Sequence, residues 1–205
     1  MNGRFITLEG GEGAGKSTQM AAIGRWINAH GHEAVLTREP GGTELGEAIR
    51  TVLMGTYDMP MPAFSELLLM FAARAAHLQQ VIEPALARGA WVVSDRFTDA
   101  SYAYQGAARA LGARPVALLE QLVQGERRPD RVLLFDVPAQ AGLARRKQQG
   151  DTNRFDGEAQ AFHERVNQAY RDRAGRDPGR YVIIDACQNR ATIFAEIQQA
   201  LEALL

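Results

Sequence analysis

Short apolar runs recur along the chain, each cut off by turn-forming or charged residues. They are Phe5–Leu8, Ala34–Leu36, Trp91–Val93, Val132–Phe135 and Tyr181–Ile184. Runs this short and continuous suit strands covered on both faces. Between them, apolar positions recur at helical spacing over longer stretches. The alternation predicts an α/β fold of three layers, a five-stranded parallel sheet flanked by helices. No repeat, low-complexity tract or linker divides the 205 residues. A single domain spanning 1–205 is therefore expected, with room for one sizeable core. Gly41-Gly42 and the stretch Gly55–Pro62 read as loops within it. The segment 148–157 is polar, charged and flanked by helices, and reads as a flap over a site.

In such a sheet, ligands collect beyond the carboxyl ends of the strands. Each run here ends in polar residues: Glu9, Arg38-Glu39, Ser94-Asp95-Arg96, Asp136 and Asp185. The first run leads into Gly10-Gly11-Glu12-Gly13-Ala14-Gly15-Lys16-Ser17, which fits the phosphate-binding pattern G-x-x-x-x-G-K-[ST]. A helix from Lys16 to about Asn28 follows. The glycines let backbone N–H groups turn onto phosphate oxygens, and the new helix adds its positive end. Nucleotide phosphates are therefore expected on Gly10, Gly11, Glu12, Gly13, Ala14, Gly15, Lys16, Ser17 and Thr18. The Ser17 hydroxyl can ligate Mg²⁺, with Asp95 at the end of the third run as its second anchor. Arg96 can fork onto a phosphate. A carboxylate at Glu12, among phosphate donors, is expected to meet a hydroxyl, a water or Mg²⁺.

Composition narrows the partners. The net charge is −1, whereas nucleic-acid binders carry a basic excess, so the phosphate handled is expected on a small molecule. The lone cysteine, Cys187, excludes an intrachain disulfide, fits a reducing compartment and reads as inert. The chain starts without a signal-peptide pattern, and the apolar stretch Leu67–Ala73 is too short to span a bilayer. A soluble cytoplasmic protein with no membrane or nucleic-acid partner is expected. His30 and His32 flank Gly31 with no carboxylate or cysteine beside them, so no metal site is assigned there. His77 and His163 read as surface or helix-packing residues. Arg171, Arg173, Arg176 and Arg180 alternate with acids and read as a solvated helix end.

The stretch from Asp95 to Gly106, Asp-Arg-Phe-Thr-Asp-Ala-Ser-Tyr-Ala-Tyr-Gln-Gly, resembles the thymidylate kinase family. So do Thr37–Thr43, Leu67–Arg74, Pro84-Ala85-Leu86 and Arg128-Pro129-Asp130, and the resemblance runs from first strand to last. It implies the P-loop nucleoside monophosphate kinase fold, transfer of the ATP γ-phosphoryl group to dTMP with Mg²⁺, and a homodimer. It also implies residue roles. Arg74 matches the arginine that bonds the thymine carbonyl, and Phe71 the ring that stacks on the base, although the family more often spaces this ring where Met70 stands. Ser101 and Gln105 match positions facing the thymine edge, and Tyr104 the ring crowding the sugar 2′ position. Arg50 and Arg96 match the arginines that hold the monophosphate, with acidic Glu39 nearby. Glu12 matches a carboxylate near the acceptor sugar and phosphate.

Phosphoryl transfer asks for alignment and positive charge around the moving group, and a transferring arginine is worth roughly 10³–10⁵ in rate. The loop carries no arginine, since position 13 is glycine. The flap is therefore expected to supply the cation, from Arg145, Arg146, Lys147 or Arg154. Gln149 stands where related chains often carry arginine. Arg145 or Arg146 is favoured, with Arg154 closing the far side. The other readings are a kinase of an unphosphorylated deoxynucleoside and a regulatory NTPase that binds a partner. Arg50 and Arg96 suit an acceptor already bearing phosphate, and a guanine-reading N-K-x-D sequence is absent.

Overall fold

In the computed structural model, which describes residues 3–149 and 154–205, every apolar run becomes a strand. They are β1 (Phe5–Glu9), β2 (Ala34–Arg38), β3 (Trp91–Asp95), β4 (Arg131–Asp136) and β5 (Tyr181–Asp185). Each extends beyond its apolar run into the polar residues at its carboxyl end. The strands are all parallel, in the order β2-β3-β1-β4-β5. Asp95 stands opposite both Leu8 and Arg38, so the polar ends of the three neighbouring strands meet at one rim.

The helices are α1 (Lys16–Ala29), α2 (Glu44–Met54), α3 (Ala63–His77), α4 (Glu83–Ala87), α5 (Thr98–Ser101), α6 (Ala113–Gln124), α7 (Ala139–Gln149), α8 (Gln160–Arg176) and α9 (Arg190–Glu202). Helix α3 passes through a π-helical turn, Leu78–Ile82, into α4. Helix α5 continues as another π-helical turn, Tyr102–Ala108.

Strand alternation sorts β1 onto two cores. Ile6 and Leu8 pack with Ile23 and Ile27 of α1 and with Ile197 and Leu201 of α9. Phe5 packs on the other face with Leu78, Ile82, Val92 and Phe97. Farther along that face, Val132 and Leu134 meet Val166 and Tyr170 of α8. Glu9 shares the Phe5 face by the same alternation, and its carboxylate enters the protein there. Truncating a buried aliphatic such as Ile6 or Leu8 to alanine is worth about 2–5 kcal/mol.

Of the two alternatives for His77 and His163, helix packing holds, and both are buried: His77 bonds Thr37 and Glu39, and His163 packs edge-on to Phe162. One sequence expectation needs correction. Arg173 is no solvated helix end. Its guanidinium lies 3.8 Å from the Tyr102 ring centroid and pairs with buried Asp99. The partner that holds it comes from another helix, so local sequence carries no sign of the pairing. Among the described residues, no helix is long and apolar enough to cross a membrane.

Candidate active site

The glycine-rich loop ends at Gly15, in a left-handed conformation with φ 86°, and α1 starts there without a side-chain cap. By contrast, Thr43 caps α2 and Asn189 caps α9 through their side chains. An uncapped helix start leaves backbone N–H groups for an anion. Lys16 is buried across the loop, its Nζ donating to the carbonyls of Gly10 (3.2 Å) and Gly11 (3.3 Å). Burial and neighbouring Arg96 lower its pKa, against the pull of Asp95 and Glu12. Gly13 has φ 66°, and a Cβ there would lie 2.0 Å from the Gly142 carbonyl oxygen. A Cβ on Gly142 would in turn lie 2.3 Å from the carbonyl oxygen of Glu12. Loop and α7 therefore touch backbone to backbone.

Beside the loop, the Ser17 hydroxyl donates to Asp95 Oδ2 at 3.4 Å. Asp95 Oδ1 is buried without a hydrogen-bond partner among the described residues, 4.0 Å from Lys16 Nζ. A hydroxyl and a carboxylate with a spare oxygen fit a hard divalent cation completed by phosphate oxygens and water. Among the described residues, no group of three or more His, Cys, Asp or Glu side chains could hold a metal by itself.

Arg96 adopts φ 72°, rare for a residue with a Cβ. The turn brings its guanidinium back to the loop, where it donates to the Gly10 carbonyl (2.9 Å), the Tyr170 hydroxyl (3.1 Å) and Glu12 Oε1 (2.9 Å). Tyr104 lies beneath it, with the Arg96 guanidinium 4.9 Å from the ring centroid, and donates its own hydroxyl to Glu12 at 2.8 Å. Burial alone would raise the Glu12 pKa, but Arg96, Lys16 and the Tyr104 hydroxyl outweigh it and hold it at about 2. Behind Arg96, buried Glu9 accepts from the Phe97 N–H and the Tyr170 hydroxyl. Burial, reinforced by Asp99, raises the Glu9 pKa to about 8, against the opposing pull of Arg96, Tyr170 and the Phe97 N–H. Arg50 donates to the Pro40 carbonyl at 2.9 Å. Burial and nearby Arg38 lower its pKa, a sign of crowded positive charge that an anion would relieve.

A cavity of about 360 Å³ joins these groups to a second, less charged end. There Arg74 is fully buried: Nε donates to Glu39 (2.7 Å), and Nη2 donates to the Phe97 carbonyl (3.0 Å) and the Ser101 hydroxyl (3.1 Å). Its Nη1 has no partner among the described residues. A buried donor left unmade costs about 1–3 kcal/mol, which a ligand carbonyl would recover. Ser101, Tyr104 and Gln105 line the cavity together. The π-helical turn that carries Tyr104 and Gln105 widens the helix there, as such turns frequently do at functional sites.

The expectation for Phe71 is corrected. Its ring is buried, with the Arg74 guanidinium 4.5 Å from its centroid, and it does not line the cavity; Met70 does. One residue is about 100° around a helix, enough to exchange a core position for a cavity position. Arg145 is corrected for the same reason. It donates to the Ala186 carbonyl at 2.8 Å, away from the cavity, whereas Arg146 lines the cavity and pairs with Asp156 at 3.3 Å. Arg154 bonds the Leu53 carbonyl (3.0 Å) and buried Glu66 (2.8 Å) and does not line the cavity. Lys147 is exposed. Residues 150–153, the middle of the expected flap, lie outside the described residues, as does the Gln149 side chain.

Sequence reasoning missed Arg38 and Phe155, which line the cavity, and Glu66 and Tyr170, which support it. Arg38 stood at a strand end, a usable signal. The other three look like ordinary helix or flap residues until the chain is folded.

A parallel sheet with a glycine-rich loop after its first strand, and arginines facing that loop across one cavity, defines a P-loop phosphotransferase. The comparisons with known proteins narrow this class. A protein-family model described as thymidylate kinase matches residues 8–197. The thymidylate kinase of Pseudomonas entomophila (strain L48) is 54% identical over 205 residues, covering 100% of this chain and 96% of that protein. That of Pseudomonas putida (strain GB-1) is 54% identical with the same coverage. The crystal structure of thymidylate kinase from Ehrlichia chaffeensis superposes with a TM-score of 0.79 at 29% identity, covering 98% of this chain and 99% of that one. The chain belongs to the thymidylate kinase family.

Proposed function

We propose that this chain transfers the γ-phosphoryl group of ATP directly and in line to dTMP, giving dTDP and ADP, as a cytoplasmic homodimer. The observation that carries the reading is one cavity with an anion cradle at one end and an unpartnered Arg74 Nη1 at the other. The ATP phosphates lie on the loop from Gly10 to Thr18, with Lys16 between the phosphates that part. Mg²⁺ would be held by Ser17 and Asp95 together with phosphate oxygens, and supplies neutralising charge there. Arg50 and Arg96 grip the dTMP phosphate. Arg74 donates to the thymine carbonyl, Ser101 and Gln105 face the base edge, and Met70 covers its face. Tyr104 and Glu12 border the sugar. Arg146 is the cation placed to follow the moving group. No general base is needed, because the attacking phosphate oxygen is already ionised.

A coupled assay for ADP with dTMP, dUMP, dCMP, AMP and GMP tests this. dTMP should be preferred, with dUMP turned over more slowly, since one methyl group is worth only about 1–3 kcal/mol. Equal turnover of all acceptors would overturn the reading. Turnover of thymidine instead of dTMP would favour a deoxynucleoside kinase, which the arginines at the middle of the cavity argue against.

A further inference from the structure

Glu66 is fully buried on α3, outside the set of groups that line the cavity. Three side chains converge on it from other parts of the chain. Gln105 Nε2 donates to its Oε1 at 2.7 Å. Arg154 Nη1 donates to its Oε2 at 2.8 Å, and Arg109 Nε lies 3.4 Å from the same oxygen. Arg109 is itself tied to Glu158, 2.6 Å away, and packs its guanidinium against the Phe162 ring. A carboxylate between two guanidinium groups offers only acceptors.

That fact fixes the orientation of the Gln105 amide. A glutamine amide presents a carbonyl on one side and an NH₂ on the other, and either side can face a neighbour that both donates and accepts. Against Glu66 only the NH₂ can face inward. The Gln105 Oε1 is then the free end of a side chain that lines the cavity.

We propose that Glu66 is a positioning residue for base selection. It holds Gln105 so that a hydrogen-bond acceptor faces the base, matched to the N3–H donor of a thymine ring and mismatched to the bare N3 of cytosine. Together with the Arg74 donor, the cavity wall then reads a donor and an adjacent carbonyl on the base edge. This inference rests on the reading of the chain as a dTMP kinase. Through Arg154, the same carboxylate ties the residues that follow position 153 to the base pocket.

The test is a double-mutant cycle on the full-length enzyme, with Glu66→Gln, Gln105→Ala and the pair. A glutamine at position 66 can donate as well as accept, so the Gln105 amide is free to turn over. E66Q should raise KM for dTMP about tenfold, the loss of one well-placed hydrogen bond. It should change kcat by less than about threefold and leave KM for ATP unmoved. In the Q105A background the same substitution should change KM for dTMP by less than about twofold. Equal effects in both backgrounds would overturn the proposal and leave Glu66 as a neutraliser of Arg109 and Arg154. A wild-type enzyme that ignores dTMP would instead overturn the proposed function. Should E66Q not fold, nitrogen-15 NMR of the unliganded wild type decides. The Gln105 side-chain NH₂, assigned by its loss in Q105A, should be protected from solvent exchange. An NH₂ that exchanges as fast as a free glutamine amide would overturn the proposal.

Discussion

Two glutamates three positions apart on the chain, Glu9 buried and Glu12 partly buried, titrate in opposite directions, and their signs can be worked out separately. Glu12 is held at about 2 by Arg96, Lys16 and Tyr104. A depressed carboxyl contributes stability above its unfolded value, near 4.5, and loses it as pH falls toward 2. Glu9 is raised to about 8 by burial, with Asp99 adding to it. A raised carboxyl stabilises most below 4.5, and that contribution is lost as pH climbs through about 8. Glu9→Gln should therefore flatten the fall in stability between pH 5 and 8, a difference on the order of a few kcal/mol at the upper end. Glu12→Gln should flatten the loss on the acid side instead. Urea denaturation carried from about pH 2 to about pH 9 measures both. Parallel profiles for E9Q and wild type above pH 5 would contradict the assignment for Glu9. Arg96 links the two glutamates by touching Glu12 directly and Glu9 through the Tyr170 hydroxyl.

At the scale of elements, the contact between loop and α7 explains why Gly142 belongs to the site although it carries no chemistry. The backbone of α7 reaches the loop at Glu12 and Gly13, and α7 carries Arg146 to the cavity. Gly142→Ala would force a Cβ to 2.3 Å from the Glu12 carbonyl oxygen, so helix or loop must shift. A shift near 1 Å in a phosphoryl-transfer site can cost about a hundredfold. The expected outcome is a fall in kcat of that order with KM for dTMP little changed, measured by steady-state kinetics. A fully active G142A enzyme would show that the contact is slack. The sequence displays the elements clearly but hides contacts of this kind. All strands, the phosphate loop and α1 were legible because a continuous apolar run and a glycine spacing are local properties. Phe71 against Met70 was misread, and Arg145 against Arg146 was left open, because each choice depends on helix rotation, which neighbours set. Glu66 was invisible because its three partners lie 39, 43 and 88 residues away along the chain.

On the scale of the whole molecule, three neighbouring helices keep exposed apolar side chains after the core is complete. Leu45 and Val52 on α2, Phe64 and Leu68 on α3, and Leu118 and Leu122 on α6 are all exposed. Helix α3 packs against both α2 and α6, so the three helices are neighbours. Within each helix the exposed pair recurs at four or seven residues, which puts both members on one stripe. Apolar stripes on adjacent helices are the mark of an association surface, and a second copy of the chain is the occupant implied by the proposed homodimer. The same helices carry cavity residues of the proposed dTMP end, Arg50 on α2 and Met70 and Arg74 on α3, with Glu66 of α3 behind them. Covering this face would therefore steady the dTMP end of the cavity more than the ATP end. Sedimentation equilibrium at micromolar concentration should give twice the 22.5 kDa chain mass. Leu68→Glu, at a position outside both the core and the cavity, should reduce that to a single chain mass. The monomer should keep its KM for ATP and show a raised KM for dTMP. A wild type that sediments as a monomer would remove the dimer, and a monomeric L68E enzyme with unaltered dTMP kinetics would remove the link between association and the base pocket.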